Sequence, residues 1–323
     1  MKKVRGTGPG GLLSGMNARR NRIVIAKKIL VALAGTVGAL SMVACQVPDP
    51  EAGDRRIVET YTAPAAEFAG RYGSESHQQY KVFTPAGWSH GDRRTLIVFS
   101  HGGAWSFGTA DEVESVIMDQ VSVGHVVLSI EYELEVPAFE QTADIVTAVR
   151  WAQANYGRLG IDPTNTFLSG HSAGAHLSLL TAVAPSDLRG GDFWFPVVGV
   201  IAVAGPYGVN LADYAPSFVG IEVQDILANV NDCADVRCTR SELDAISPIT
   251  YIDAADPAVY MVAGGDDDLA PVSHALAVEA AYQSVGQDQR AWVDVVEGAG
   301  HQPGFGANAE YIQKFIGEVS ASV

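Results

Sequence analysis

Basic side chains are scarce beyond the first 44 residues. Eight of the 21 Lys and Arg lie in that stretch (Lys2, Lys3, Arg5, Arg19, Arg20, Arg22, Lys27 and Lys28), with no Asp or Glu among them. The remainder carries 13 basic against 37 acidic side chains. A surface of that sign repels phosphates instead of releasing their counterions, so no nucleic-acid partner is expected, and the acidity serves solubility. Cysteine is rarer still, with three in 323 residues. The apolar run Ile29–Val43 is 15 residues long, short of a membrane span. Charged residues make up only 18% of the chain and hydrophobic ones 47%, too apolar for a disordered polypeptide. The length suits one large domain with a substantial core.

The N-terminus reads as an export signal. A basic stretch, Arg19 to Lys28, precedes the apolar run, which has the length of a signal-peptide core and ends Leu40-Ser41-Met42-Val43-Ala44-Cys45. Small residues before a cysteine resemble the lipobox of bacterial lipoproteins, which implies lipidation of Cys45 and membrane anchoring through the lipid. Met42 departs from the usual Leu, and cleavage nearby or an uncleaved anchor is the alternative. Gln46, which is not Asp, favours the outer membrane where one exists. Met16 offers a second start that gives a signal of ordinary length. Arg19-Arg20 resembles a twin-arginine signal, but the residues after it match poorly. The expected organisation is a signal over 1–45, a polar tether over 46–56 with two prolines, and one folded domain over 57–323.

With Cys45 assigned to the signal, Cys233 and Cys238 form an even pair in an oxidising compartment, and a disulfide is expected. A metal site is the alternative, but no second ligand pair lies near it. No metal and no cofactor are expected.

Downstream, apolar runs alternate with helical periodicity. Strands are expected at Gln79–Phe83, Thr95–Ser100, His125–Tyr132, Thr166–Ser169, Val197–Ala204, Ala258–Val262 and Ala291–Val296. Helices are expected at Asp111–Val121, Phe139–Tyr156, Ala173–Val183, Pro271–Val285 and Ala309–Val319. The alternation predicts an α/β fold, a mostly parallel sheet with helices on both faces. Residues 205–245 interrupt it as a small insertion.

Gly170-His171-Ser172-Ala173-Gly174 fits G-x-S-x-G. Alone the pattern is weak, but here it follows a strand and precedes a helix, the context a nucleophile elbow needs. Its glycines permit a turn too tight for β-carbons and leave the Ser172 hydroxyl at a positive helix end. A Gly-rich turn with a solvent-facing serine is the bland alternative. His101-Gly102-Gly103-Ala104-Trp105 follows the strand ending at Ser100. Its backbone N–H groups, with that of Ala173, are placed to bind an oxyanion; a glycine turn packed by Trp105 is the alternative. His101 itself reads as structural. Elbow folds run Ser, acid, His along the chain. Beyond the elbow helix, His274 sits in a helix and His301 in the loop Gly298-Ala299-Gly300-His301, so His301 is the candidate base. The acid falls among Asp266, Asp267 and Asp268, between which physical reasoning alone does not choose.

In that order and spacing, HGGAW, GHSAG, GGDDDLAP and GAGH resemble the α/β-hydrolase superfamily. The chain is similar to its HGG(G)W carboxylesterases, among them hormone-sensitive-lipase-like, kynurenine-formamidase-like and feruloyl- or acetyl-xylan-esterase-like enzymes. Gly160-Ile161-Asp162-Pro163 and Ser247-Pro248-Ile249-Thr250-Tyr251 extend the likeness over roughly Thr60 to Ile316. The resemblance implies an α/β-hydrolase fold, a Ser172–Asp267–His301 triad with the acid four residues before Pro271, and an oxyanion hole at Gly102, Gly103, Ala104 and Ala173. It also implies a small-molecule ester substrate, with formamide or amide hydrolysis and a non-catalytic binding role as alternatives. The small insertion and acidic composition favour short-chain soluble esters. Two positions depart from the family: Ala104 replaces the third glycine, which disfavours bulky esters, and Tyr132-Glu133-Leu134 replaces Y-R-L. Trp105, Tyr207 and Phe218 are candidates for pocket or core.

Overall fold

The computed structural model describes residues 66–210, 217–218, 221–231, 233 and 237–322. The leader, the tether and Cys45 lie outside the described residues. In chain order the strands are β1 (Ala66–Arg71), β2 (Gln79–Thr84), β3 (Arg94–Ser100), β4 (Val126–Ile130), β5 (Ile161–His171), β6 (Val197–Val203), β7 (Ser217–Phe218), β8 (Ile221–Glu222), β9 (Ala258–Gly264) and β10 (Ala291–Val296). The helices are α1 (Ser115–Ser122), α2 (Ala138–Ala154), α3 (Tyr156–Leu159), α4 (Ala173–Val183), α5 (Val223–Val230), α6 (Arg240–Ala245), α7 (Val272–Ser284) and α8 (Ala309–Ser320).

Among the described residues, eight strands form one sheet in the order β1-β2-β4-β3-β5-β6-β9-β10. The pairs β1/β2 and β2/β4 are antiparallel, and every pair from β4/β3 to β9/β10 is parallel. The apolar runs seen in the sequence are the inner parallel strands, buried on both faces. Leu96 and Val98 of β3 point into one half of the core with Ile145, Leu177 and Val278 of α2, α4 and α7. Their neighbours Ile97 and Phe99 point into the other half with Ile117, Ile312 and Phe315 of α1 and α8. Helices therefore cover both faces, as the two-residue pleat requires.

One strand was unmarked in the sequence, and two expected boundaries need correction. Strand β1 carries a single large apolar residue, Phe68, so no periodic signal marked it. Helix α1 begins at Ser115, not Asp111. The preceding residues form a turn in which the N–H of Glu112 donates to Thr109 O and that of Ala110 to Glu131 Oε1. Strand β5 starts at Ile161 instead of Thr166 and runs through Pro163. Register shifts against β3 and β6 absorb the irregularity. The insertion holds the β7–β8 hairpin, α5, α6 and a disulfide between Cys233 and Cys238. Because β3, β5, β9 and β10 are parallel, the loops after Ser100, His171, Gly264 and Val296 open on one rim, where sites in such sheets form.

Candidate active site

At the end of β5, Ser172 adopts φ 54° and ψ −119°, a left-handed conformation that side-chain-bearing residues adopt at a cost. The flanking glycines make that turn possible. A β-carbon at Gly170 would lie 2.3 Å from the carbonyl carbon of Gly174, and one at Gly174 would lie 2.0 Å from Ser100 O. The N–H of Ser172 is spent on Val203 O at 2.8 Å, which ties the elbow to β6. Ala173 opens α4, so its N–H has no partner within the helix.

The His301 loop meets this elbow. His301 Nε2 lies 2.8 Å from Ser172 Oγ, and His301 Nδ1 lies 2.8 Å from Asp267 Oδ2. Asp267 is buried, and its Oδ1 accepts the N–H groups of Leu269 and Ala270 at 2.9 Å each. Burial alone would raise this carboxyl, but the hydrogen bond and charge of His301 and the two N–H donors outweigh it and hold Asp267 below the ordinary carboxylate value. An ionised Asp267 accepts from Nδ1–H, which leaves Nε2 bare to accept the Ser172 hydroxyl proton. Asp266 and Asp268 are exposed. The structure brings Ser172, His301 and Asp267, and neither neighbouring aspartate, into one hydrogen-bonded run.

The HGGAW loop lies across from the elbow. Gly102, Gly103 and Ala104 border the same cavity as Ser172. Gly103, Ala104 and Trp105 all have positive φ (117°, 48° and 59°), and a β-carbon at Gly103 would fall 2.0 Å from Phe107 O. Among the described residues, the N–H groups of Gly103 and Ala104 donate to no main-chain acceptor. Neighbours hold the loop in place. The Tyr132 hydroxyl donates to His101 O at 2.9 Å, and the His101 ring stacks on Tyr132 at 4.4 Å. Burial pushes the His101 imidazole down to about 4, so it stays neutral as a structural wedge. Glu133, the departure from Y-R-L, is exposed, while its N–H and carbonyl bond Asp144 and Gln141. The backbone does the bonding at this position, so an anion in place of a cation leaves the loop intact.

The cavity beside Ser172 measures about 380 Å³. Trp105, Phe107 and Leu269 form apolar walls, and the insertion adds Ile226 and Leu227 from α5. Glu112 and Glu114 supply two carboxyls. Trp105 is both wall and core, whereas Tyr207 is fully buried away from the cavity; the side chain of Phe218 lies outside the described residues. Among the described residues, no group of three or more His, Cys, Asp or Glu is arranged to hold a metal ion.

Sequence reasoning missed Glu114, Glu112, the α5 residues and the contacts of His171. His171 was legible only as the variable residue of G-x-S-x-G. Its Nε2 lies 2.8 Å from His301 O and its Nδ1 3.5 Å from Glu114 Oε1. Burial, then the charge of His301, pushes His171 down to about 4. Burial also holds Glu114 above the usual carboxyl range.

A family model described as BD-FAE matches residues 82–282. The chain is 31% identical over 131 residues to the carboxylesterase NlhH of Mycobacterium tuberculosis, covering 39% of each protein. It is 27% identical over 246 residues to the esterase LipC of the same organism, covering 70% of this chain and 59% of LipC. The chain therefore spans about two fifths to three fifths of the length of these relatives. Among solved structures, a truncated carbohydrate esterase from gut microbiota superposes with TM-score 0.66 at 21% identity, covering 80% of this chain and 98% of that one. The propionate-bound esterase Est2 of Thermogutta terrifontis gives TM-score 0.62 at 23% identity, covering 79% and 95%. At these identities the structural likeness is one of fold, and the fold is that of the α/β-hydrolases.

Proposed function

The chain belongs to the BD-FAE family, and from that premise we propose that it is a serine carboxylesterase acting on small, short-chain esters through an acyl-enzyme on Ser172. The observation that carries this reading is the run Ser172 Oγ–His301 Nε2, His301 Nδ1–Asp267 Oδ2, with both separations 2.8 Å, at the wall of the cavity. As Ser172 Oγ bonds to the ester carbonyl carbon, His301 Nε2 takes its proton and Asp267 stabilises the imidazolium. The carbonyl oxygen gains the negative charge and is held by the N–H groups of Gly103, Ala104 and Ala173, each such donor being worth about 100- to 1,000-fold in rate. The C–O bond of the alcohol breaks, and the leaving oxygen takes the proton from Nε2. Water then repeats the sequence on the acyl-enzyme and frees the acid.

The short-chain preference is supported by the modest cavity and by same-fold structures of Est2, which is seen propionate-bound, butyrate-bound and phosphonylated by sarin. The test is hydrolysis of p-nitrophenyl esters from acetate to palmitate. The expected result is a maximum at short chains that vanishes in Ser172→Ala. A maximum at palmitate, or turnover indifferent to Ser172→Ala, overturns the reading.

Export and lipidation at Cys45 complete the proposal. The basic stretch, the 15-residue apolar run and Ala44-Cys45 support them, as does a disulfide suited to an oxidising compartment. Incorporation of labelled palmitate into the full chain, lost in Cys45→Ala, is the expected outcome.

A further inference from the structure

We infer that His171 is a positioning residue for His301, clamping the base loop to the nucleophile elbow, with Glu114 setting the His171 ring; this rests on the triad reading above. A carbonyl oxygen only accepts, so the 2.8 Å contact between His171 Nε2 and His301 O fixes the proton of His171 on Nε2. Its Nδ1 then faces Glu114 Oε1 at 3.5 Å. Burial favours the neutral acid of Glu114, so its carboxyl faces the bare Nδ1 without like-sign repulsion and packs against the ring at 3.5 Å.

Glu114 also meets the loop at a second point. Glu114 is only 9% exposed, and a β-carbon at Gly304 would lie 2.2 Å from its Oε2. The carboxyl therefore packs directly on the backbone three residues beyond His301. Upstream, the N–H of Asp266 donates to Ala299 O at 2.8 Å. The base is thus held on one side by the acid loop and on the other by the residue that immediately precedes the nucleophile. The His171 and His301 rings are 5.1 Å apart, close enough that a shift of one moves the other. Placement errors of about 1 Å cost about 100-fold in rate.

The experiment compares His171→Leu, His171→Gln and His171→Asn in the full chain. Gln reaches the position of Nε2 with an amide N–H, whereas Asn reaches only that of Nδ1. On p-nitrophenyl acetate, Leu and Asn are expected to lower kcat by about 10- to 100-fold with KM within about twofold, and Gln to restore most of it. A second readout does not need turnover: the low-field proton resonance of His301 Nδ1–H, sharp in the wild type, broadens in Leu and Asn and returns in Gln. If Leu fails to fold, the Asn–Gln pair decides. Equal kcat and an unchanged resonance in all three variants overturn the positioning role, as does loss in Gln equal to that in Asn. A wild type without esterase turnover whose resonance still responds in this order sinks the esterase reading and leaves the positioning role standing.

Discussion

The indole N–H of Trp105 donates to Nδ1 of His176 across 3.2 Å, both side chains being buried. His176 Nε2 is 2.7 Å from Ile246 O, so the ring carries its proton on Nε2 and receives the indole proton on Nδ1. One chain of hydrogen bonds thereby joins the oxyanion loop, the helix after the elbow and the residue just past the insertion. Trp105→Phe leaves Nδ1 unsatisfied and opens a gap. The expected loss is about 1–3 kcal/mol, read as a lower urea midpoint at unchanged slope. An unchanged midpoint would show that the bond contributes nothing net.

The backbone of Ser172 carries a cost that a glycine does not. With φ 54° at a position bearing a β-carbon, Ser172→Gly should raise stability by about 1 kcal/mol while abolishing esterase activity. Calorimetry of the two proteins checks this. A lower Tm in the glycine variant would mean that the serine side chain stabilises the elbow more than the conformation costs.

Acid should destabilise the protein through its buried imidazoles. His101, His171 and His176 are each pushed down to about 4 from 6.5, chiefly by burial. The unfolded chain takes up protons near pH 6.5 while the folded one does not, so stability present above that pH is lost as pH falls toward 4. Each buried imidazole contributes up to about 1.4 kcal/mol per pH unit in that window. Asp256, raised to about 6 by burial, acts in the opposite sense, contributing stability at low pH that is lost as pH rises through about 6. His125, likewise pushed down to about 4 by burial, and the lowered Asp267 act with these imidazoles, while the raised Glu112, Glu114, Asp119 and Glu131 act with Asp256. The four imidazoles take up their protons across the whole window from 6.5 to 4, and Tm should fall from pH 7 to pH 4.5. A flat profile would contradict the neutral, buried state of these rings.

Reduction should act on the cavity wall from a distance. The Cys233–Cys238 disulfide spans five positions just past α5, which supplies Ile226 and Leu227 to the cavity. A bridge closing so short a loop is worth about 2 kcal/mol in the chain-entropy model. Cys233→Ala with Cys238→Ala should lower Tm and broaden the acyl-length profile more than it lowers turnover of acetate. An unaltered profile would show that α5 keeps its place without the bridge.

The elbow, the HGGAW loop, the acid loop and the His301 loop were legible because each is a short segment whose residues act together. Their order along the chain follows from the parallel sheet. The aspartate was not legible from composition: three adjacent carboxyls differ only in which one the loop turns inward, and the family spacing was needed to select Asp267. The HGGAW loop revealed its glycines but not its anchors, since Tyr132 and His176 lie 31 and 71 residues from their partners. The same distance in sequence hid the Glu114–His171 pair and the α5 wall. Strand β1 was missed because Phe68 is its only large apolar side chain, and it is defined by pairing with β2.

The most direct test of the central claim is covalent capture of the nucleophile. The protein is treated with a fluorophosphonate, and the modified peptide is identified by mass spectrometry, in the wild type and in His301→Ala. One adduct is expected, on Ser172, formed rapidly in the wild type and slowed at least 100-fold in the variant. An unlabelled Ser172, or labelling equally fast without His301, would contradict it.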